Sequence, residues 1–155
     1  MSDYISGIVL TLLPFAGGSL AGQLTIHNIP SWYRYLNKPS VTPPNWLFGP
    51  AWTFLYLTSG YASFLIFRDS GFLKQIGDAF TTGHFGGIKP NLPVALYTTS
   101  LVLNWTWTPL FFGAKKTGLA FANALGMFAS IAGCIVAFYP INRTASNLFI
   151  PYLAW

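Results

Sequence analysis

Aromatic side chains dominate the residues of this sequence that could contact another molecule. The densest group lies in the stretch 32–52, which reads WYRYLNKPSVTPPNWLFGPAW. Arg34 and Lys38 supply positive charge there, and the prolines remove backbone donors and stiffen the chain. Indole rings beside cations are typical of a membrane–water interface. The prolines instead favour an ordered lid that covers a binding site. Both interpretations apply to its tryptophans, which are Trp32, Trp46 and Trp52.

A second aromatic stretch, 97–112, surrounds one amide side chain. It reads YTTSLVLNWTWTPLFF and contains Asn104, with an indole on the next residue and another at Trp107. In an apolar run an amide has to bond to a neighbouring helix or to a ligand, and the sequence leaves both partners open. Helical spacing places Asn104 on the same face as Ser100 and close to that of Trp107.

Composition excludes several kinds of chemistry. Only 7% of the residues are charged, and the apolar runs contain no Asp, Glu, His, Lys or Arg that could act as a catalytic acid or base. His27 and His84 stand in different connections without Cys or Glu nearby, so neither a metal nor another cofactor is expected. The net charge of +5 is spread over separate short connections, which argues against a nucleic-acid partner. What remains is recognition of a large apolar molecule on an aromatic surface.

The elements that must position these residues follow from charge-free gaps in the sequence. The chain has 155 residues, 53% of them hydrophobic, and a helix needs roughly 20 apolar residues to cross a bilayer. Runs of that length are 5–26, 46–67, 92–112 and 118–139. A fifth run begins near Ala145 and stops at Trp155, about half the required length. The sequence therefore predicts an all-α membrane protein, a single domain over 1–155, built as a five-transmembrane-helix bundle with its fifth helix truncated.

The connection 68–91 differs from the other connections in its length and glycine content. It is predicted to be a flexible insertion between the second and third long helices, or a segment on the membrane surface. Lys and Arg are evenly divided between the two sides of the membrane, so they do not decide the orientation of the chain.

Small residues predict where helices approach closely, because association in lipid depends on van der Waals contact. Gly18 and Gly22 have the GxxxG spacing. The fourth run carries a stripe of small side chains, which are Gly118, Ala122, Gly126, Ser130 and Cys134. Such a stripe suits packing within the chain, packing in a dimer, or a wall against which a flat ligand lies.

Taken together, these stretches resemble the translocator protein family, whose members are also called tryptophan-rich sensory proteins and peripheral-type benzodiazepine receptors. The matching residues run in order through nearly the whole chain. They are LP…GG in 13–18, WY…KPS…PPNW…PAW…LY in 32–56, LNWTW…FFGA in 103–114, and PYLAW in 151–155. The connection 68–91 has no counterpart in compact members of the family.

The resemblance implies a five-helix bundle, expected to be a homodimer in a lipid bilayer, with a pocket covered by the first connection. Implied ligands are tetrapyrroles such as protoporphyrin IX, sterols and synthetic benzodiazepine-type compounds. The implied ligand-binding residues are Gly22, Trp32, Tyr33, Arg34, Lys38, Trp46, Trp52, Ser100, Asn104, Trp107, Ala122 and Trp155. Trp32 and Tyr33 would belong to the lid, Gly22 and Ala122 to close-packed walls, and Arg34 or Lys38 would meet propionates. Ser100 replaces a glutamine of many members, and Leu119 replaces a tryptophan of animal members.

Two functions from different classes follow from the resemblance. The first is a membrane-embedded receptor or carrier for tetrapyrroles, sterols or similar hydrophobic ligands. The alternative is a light- and oxygen-dependent enzyme that degrades porphyrin, with Trp52 and Trp155 as its redox-active residues. A third interpretation is a scaffold whose small-residue stripes recruit partner proteins. The expected location is a multi-pass position in the mitochondrial outer membrane of a eukaryote, or in the cell-envelope membrane of a bacterium.

Overall fold

A computed structural model of the chain describes residues 3–89 and 91–155, and these residues form helices and turns without any β-strand. The all-α prediction is confirmed. The helices are α1 (Asp3–Asn28), α2 (Asn45–Asp69), α3 (Phe72–Thr82), α4 (Leu92–Thr108), α5 (Thr117–Phe138), α6 (Arg143–Leu148) and α7 (Ile150–Ala154). A π-helical turn, Pro109–Gly113, extends α4, and short 3-10 turns occupy Tyr33–Tyr35 and Phe85–Gly87.

The bundle carries much of its apolar surface on the outside. Among the described residues, α1 and α5 are long and apolar enough to cross a membrane, over Tyr4–Asn28 and Thr117–Phe138. Only 17% and 22% of their most apolar windows are buried within the bundle. A core helix of a soluble protein would bury most of such a window, so these helices have the surface expected of elements that face lipid.

Two helix pairs, α1 with α2 and α4 with α5, build the frame, and α6 packs against α2 and α5. The core between them is closed by large aromatic side chains. Phe138 and Phe149 are fully buried, with ring centroids 5.1 Å apart in an edge-to-face arrangement. Cys134, the single cysteine, is also fully buried and unpaired.

The first two helices approach so closely at Gly60 that no side chain fits between them. A Cβ placed on Gly60 would lie 2.3 Å from the Thr11 carbonyl oxygen and 2.8 Å from that of Leu10. Pro14 lacks the N–H that would otherwise bond to Leu10, so this carbonyl is available to the Cα–H groups of the neighbouring helix. A glycine at position 60 is therefore a condition for this contact.

The predicted small-residue contacts are present in part. Gly18 packs against the Tyr56 ring, which a Cβ would approach to 2.2 Å, but no atom lies within 4 Å of a Cβ placed on Gly22. In the small-residue stripe of α5, Ser130 and Cys134 are buried and Gly126 is half-buried, whereas Gly118 and Ala122 are exposed. Within the described part of the chain neither Gly22 nor Ala122 is closely packed against another helix, and their role as close-packed walls stays a prediction.

The fifth segment is two short helices rather than one. α6 ends at Leu148 and α7 begins at Ile150, with Phe149 between them. Pro151 cannot donate a backbone hydrogen bond, so a continuous helix would lose one of its bonds at this point. The break lets the buried Phe149 ring fill the core while Tyr152 turns towards the centre of the bundle.

A polar junction holds α6 against the end of α2. The Asp69 carboxylate accepts hydrogen bonds from Arg68 Nε and from Asn142 Nδ2, each at 2.7 Å. Asn142 is also the N-cap of α6, since its side-chain oxygen accepts from the Ala145 N–H at 3.0 Å. The bond from Arg68 holds the pKa of the Asp69 carboxyl below its ordinary value, and the bond from Asn142 adds to this effect.

The connection 68–91, predicted to be a flexible insertion, is helical over much of its length. Gly71 and Gly83 flank α3 and both have left-handed backbones, with φ of 74° and 71°. Glycine adopts this conformation without the steric cost other residues incur, so the two glycines set where α3 starts and stops. The flexibility of the connection stays a prediction.

Candidate functional site

A cavity of about 810 Å³ lies between α1, α2, α4, α5 and α7, under the first connection. Its volume is within the range of about 300–1,000 Å³ that is usual for small-molecule sites. Most of its wall is apolar and aromatic, and the predicted residues on it are Gly22, Tyr33, Trp52, Asn104, Trp107 and Trp155. The cavity therefore brings together half of the predicted ligand-binding residues, from α1, the first connection, α2, α4 and the end of α7.

Three indole rings give the cavity flat apolar faces. Trp107 stacks on Phe111 with ring centroids 4.7 Å apart and planes 10° from parallel. Trp155 meets Phe48 edge to face at 5.9 Å, and Trp52 lies 5.3 Å from the Tyr56 ring. Rings held by other rings lose little freedom when a ligand packs on them, so this wall is preorganised for a planar molecule.

A hydrogen-bonded cluster centred on Asn104 stands out among the polar groups of the largely apolar wall. Asn104, only 5% exposed, accepts a hydrogen bond from the Tyr56 hydroxyl at 3.0 Å and donates one to the Tyr152 hydroxyl at 2.5 Å. The Met127 sulfur lies 3.6 Å from Asn104 Nδ2 and 3.7 Å from the Tyr152 oxygen, as a weak acceptor. Side chains from α2, α4, α5 and α7 thus meet at one point, which we call the polar floor.

The sequence left open whether Asn104 bonds to a neighbouring helix or faces a ligand. Its amide has partners on neighbouring helices, and it also borders the cavity. Tyr56 and Tyr152 were not predicted as site residues, although both belong to the segments LY and PYLAW that carry the resemblance. Trp105, the other indole beside Asn104, turns away from the cavity and lies against α1, with Nε1 3.4 Å from the Pro14 carbonyl oxygen.

The first connection is fixed over the cavity by aromatic contacts with the π-helical turn. Trp32 packs edge to face on Phe111, with centroids 5.3 Å apart, and Tyr33 contacts Phe112 at 5.8 Å. Lys38 places its ammonium 4.2 Å from the centre of the Tyr33 ring, a cation–π distance. The turn begins at Pro109, whose missing N–H disturbs the helical hydrogen bonds there.

Six predicted residues do not line the cavity: Trp32, Arg34, Lys38, Trp46, Ser100 and Ala122. Trp32 and Lys38 pack onto residues that do line it. Arg34 and Trp46 are exposed, with Trp46 at 72%. Ser100 is buried between helices, where its hydroxyl donates to the Tyr97 carbonyl at 2.8 Å. Ala122 points outward, because Ala124, two residues later on the helix, faces the cavity instead.

Charge is distributed unevenly between the two ends of the bundle. The connections at the cavity end carry Arg34, Lys38, Lys115 and Lys116, and none of the acidic residues of the chain. All three acidic residues, at positions 3, 69 and 78, belong to the opposite end. The end of the bundle that contains the cavity is therefore electropositive, which suits the approach of a negatively charged molecule.

No cluster of three His, Cys, Asp or Glu side chains that could hold a metal ion occurs within residues 3–89 and 91–155. The functional groups on the cavity wall are aromatic rings, hydroxyls, the amides of Asn45 and Asn104, and the thioether of Met127, beside aliphatic side chains. Such groups can bind and orient a ligand by stacking and hydrogen bonding.

Comparison with known proteins gives consistent matches over the whole site. Residues 10–155 match the model of the TspO/MBR family. The chain is 36% identical to the translocator protein of Homo sapiens, over 98% of this chain and 82% of that protein. It is 35% identical to the tryptophan-rich sensory protein of Cereibacter sphaeroides, over 80% of this chain and 67% of that protein. It is 32% identical to the tryptophan-rich protein TspO of Archaeoglobus fulgidus, over 96% and 86% of the two chains. All residues that line the cavity fall within the matched range.

Proposed function

The chain belongs to the TspO/MBR family, and from this premise we propose that it is a membrane receptor or carrier for a flat, largely apolar ligand. The observation that carries the proposal is the cavity of about 810 Å³, with three indole rings on its wall and one polar floor. Tetrapyrroles such as protoporphyrin IX fit these features, and sterols are the second ligand class.

The two ligand classes would use the site differently. A porphyrin face would stack on Trp52 or Trp107, and its propionates would reach towards the electropositive end of the bundle, where Arg34 and Lys38 lie. A sterol has a single hydroxyl, for which the polar floor at Asn104 offers a donor and an acceptor. The charge at that end favours the tetrapyrrole.

We propose a multi-pass arrangement in which α1, α2, α4 with its π-helical turn, α5 and the α6–α7 segment cross the membrane. The exposed face of α5 around Gly118 and Ala122 would then be available for a homodimer contact. The membrane would be the mitochondrial outer membrane in a eukaryote or the cell-envelope membrane in a bacterium.

One observation favours the enzymatic alternative. Trp52 lies 5.3 Å from the Tyr56 ring and meets the Tyr152 ring edge to face at 6.1 Å. A cavity indole next to two phenol rings could share an unpaired electron formed by light-driven oxidation. If so, porphyrin would be degraded in the presence of light and oxygen, and Trp52→Phe would stop the degradation while binding persists.

The test is a titration of the solubilised protein with protoporphyrin IX in the dark, followed by illumination with oxygen. We expect saturable binding in the dark, weakened roughly tenfold by Trp107→Leu, since the loss of a stacking indole costs about 1 kcal/mol or slightly more. The matched control is Trp46→Leu, because this tryptophan is 72% exposed and lies outside the cavity. Stable absorbance in the light supports the receptor or carrier, and protein-dependent bleaching supports the enzyme. Equal weakening by both substitutions, or absence of saturation, would reject the cavity as the porphyrin site.

A further inference from the structure

Within the described part of the connection 68–91, two phenylalanine rings are exposed, and neither belongs to the bundle core or to the side chains packed against it. Phe80 near the end of α3 and Phe85 in the following 3-10 turn have centroids 5.3 Å apart and planes 89° from parallel. They are 73% and 53% exposed. Two adjacent large apolar rings are costly to leave in water, and such patches mark contact surfaces.

The helix that carries Phe80 is amphipathic. Phe72 and Leu73 pack against the bundle core, and Ala79 is buried. Lys74 and Asp78, one turn apart, are exposed. Phe80 is roughly 120° around the helix from Lys74, given about 100° per residue. One side of α3 thus contacts the bundle, one edge presents an aromatic ring, and the remaining side is charged, which is the pattern of a helix lying in a membrane interface.

The fold keeps α3 close to the level at which the long helices end. Only Ser70 and Gly71 separate it from α2, and a chain of that length reaches about 10 Å at most. The return to α4 is also held, since the Lys89 N–H donates to Gln75 Oε1 at 2.9 Å. Leu92, the first residue of α4, is 66% exposed, so the apolar surface of the bundle extends to the end of the long helices, where α3 lies.

We propose that the Phe80–Phe85 pair inserts into the interfacial layer of the bilayer that surrounds the bundle. α3 then lies in the membrane plane, with Lys74 and Asp78 towards water and the exposed Lys89 available to lipid phosphates. The occupant of this surface is lipid, because the helix is tethered at the end of a membrane bundle and its charges face away from the rings. The proposal depends on the membrane position of the chain and not on the ligand of the cavity.

The test measures the depth of single side chains in phosphatidylcholine nanodiscs. Phe80→Cys and the matched control Lys74→Cys are each made with Cys134→Ala, labelled with a nitroxide, and examined for collisions with oxygen and with a water-soluble nickel chelate. We expect the label at position 80 to favour oxygen over nickel and the label at position 74 to show the reverse ratio. If Cys134→Ala does not fold, the labels can be attached with Cys134 retained, because that thiol is fully buried.

A label at position 80 that is as accessible to nickel as the label at position 74 would overturn the proposal. A ring pair that serves a protein partner would give this result, since purified nanodiscs contain only the protein and lipid. Phe85→Cys provides a second position, and agreement between 80 and 85 is required. Protoporphyrin titration of the same nanodiscs tests the cavity separately, so failure of one proposal is distinguishable from failure of the other.

Discussion

The contact between α1 and α2 has a closed part and an open part, and each contains a glycine with a different role. Near Gly60 the helices touch backbone to backbone, and an added Cβ would meet a carbonyl oxygen at 2.3 Å. Near Gly22 the helices separate, and an added Cβ would meet nothing within 4 Å. The first glycine removes a side chain so that helices can join, and the second removes one so that a cavity remains. The position of a glycine on the α1–α2 contact therefore does not by itself show whether it joins the helices or leaves space between them.

The largest effect is expected at the closed part of the contact. Gly60→Ala should lower the free energy of unfolding by about 1–3 kcal/mol, because the Cβ meets backbone atoms that cannot rotate away. Heating with a thiol-reactive dye measures this, since unfolding exposes the single buried Cys134. The matched control is Gly49→Ala on the same helix, where a Cβ has open space. An equal change in the two unfolding midpoints would contradict the distinction between the two parts.

The polar floor lies where the helices begin to separate, and its loss should cost less. Asn104→Leu removes the partner of both tyrosine hydroxyls and should lower the free energy of unfolding by about 1 kcal/mol, a usual value for a hydrogen-bonding group inside a membrane protein. The same dye measurement applies. Ser100→Ala serves as a comparison and should change the midpoint less, since the Ser100 hydroxyl donates to the Tyr97 carbonyl of its own helix and meets across the helices the Cys134 thiol, which is a weak hydrogen-bonding group. A larger effect from Ser100→Ala would show that the floor does not join the helices.

At the open part of the contact, a substitution should alter binding and leave stability unchanged. Gly22→Ala places a methyl group in the cavity and should weaken protoporphyrin binding by a factor on the order of five, which corresponds to about 1 kcal/mol. The unfolding midpoint should match the wild type or rise slightly, because alanine has a higher helix propensity than glycine. Unchanged binding would mean that the ligand does not occupy the space beside Gly22.

The smallest effect concerns the end of α2 that is farthest from the cavity. The Asp69 carboxyl has a lowered pKa, so it stays ionised in the folded protein at pH values where the unfolded chain binds a proton. Its contribution to stability is complete above the ordinary pKa of 3.8 and is lost as the pH falls below it. We expect Asp69→Asn to flatten the decline of the unfolding midpoint between pH 5 and pH 3. An unchanged pH profile would show that the bonds from Arg68 and Asn142 do not act on this carboxyl.

The long helices could be predicted from the sequence because their signal is simple. Runs 5–26, 46–67, 92–112 and 118–139 lack charge, and the structure has helices over Asp3–Asn28, Asn45–Asp69, Leu92–Thr108 with its π-helical turn, and Thr117–Phe138. Charge-free length is a property of the chain itself, so it needs no knowledge of the packing. The break at Phe149 escaped prediction, since the proline that produces it lies in a run too short to reveal a helix on either side.

The site was predicted less completely, because orientation depends on packing. Trp52 and Trp46 stand on the same helix and are equal in type, yet Trp52 lines the cavity and Trp46 is 72% exposed. Ala122 and Ala124 likewise differ only in helical phase. The apolar runs are hydrophobic on all sides, so the sequence contains no amphipathic pattern to tell inward from outward. Tyr56 and Tyr152 were missed for the same reason.

The separation of charge between the two ends has a consequence for the kinetics of ligand capture. At an ionic strength of 0.01 M the Debye length is about 30 Å, so all four cations at the cavity end attract an approaching anion together. At 0.15 M it is about 8 Å, and only the cations closest to the ligand act on it. Capture of a dianionic porphyrin should thus slow as salt is added, while its escape from the stacked, desolvated interior hardly changes. A neutral sterol would enter at a rate that salt leaves unaltered, so the salt dependence of the capture rate would distinguish the two proposed ligand classes.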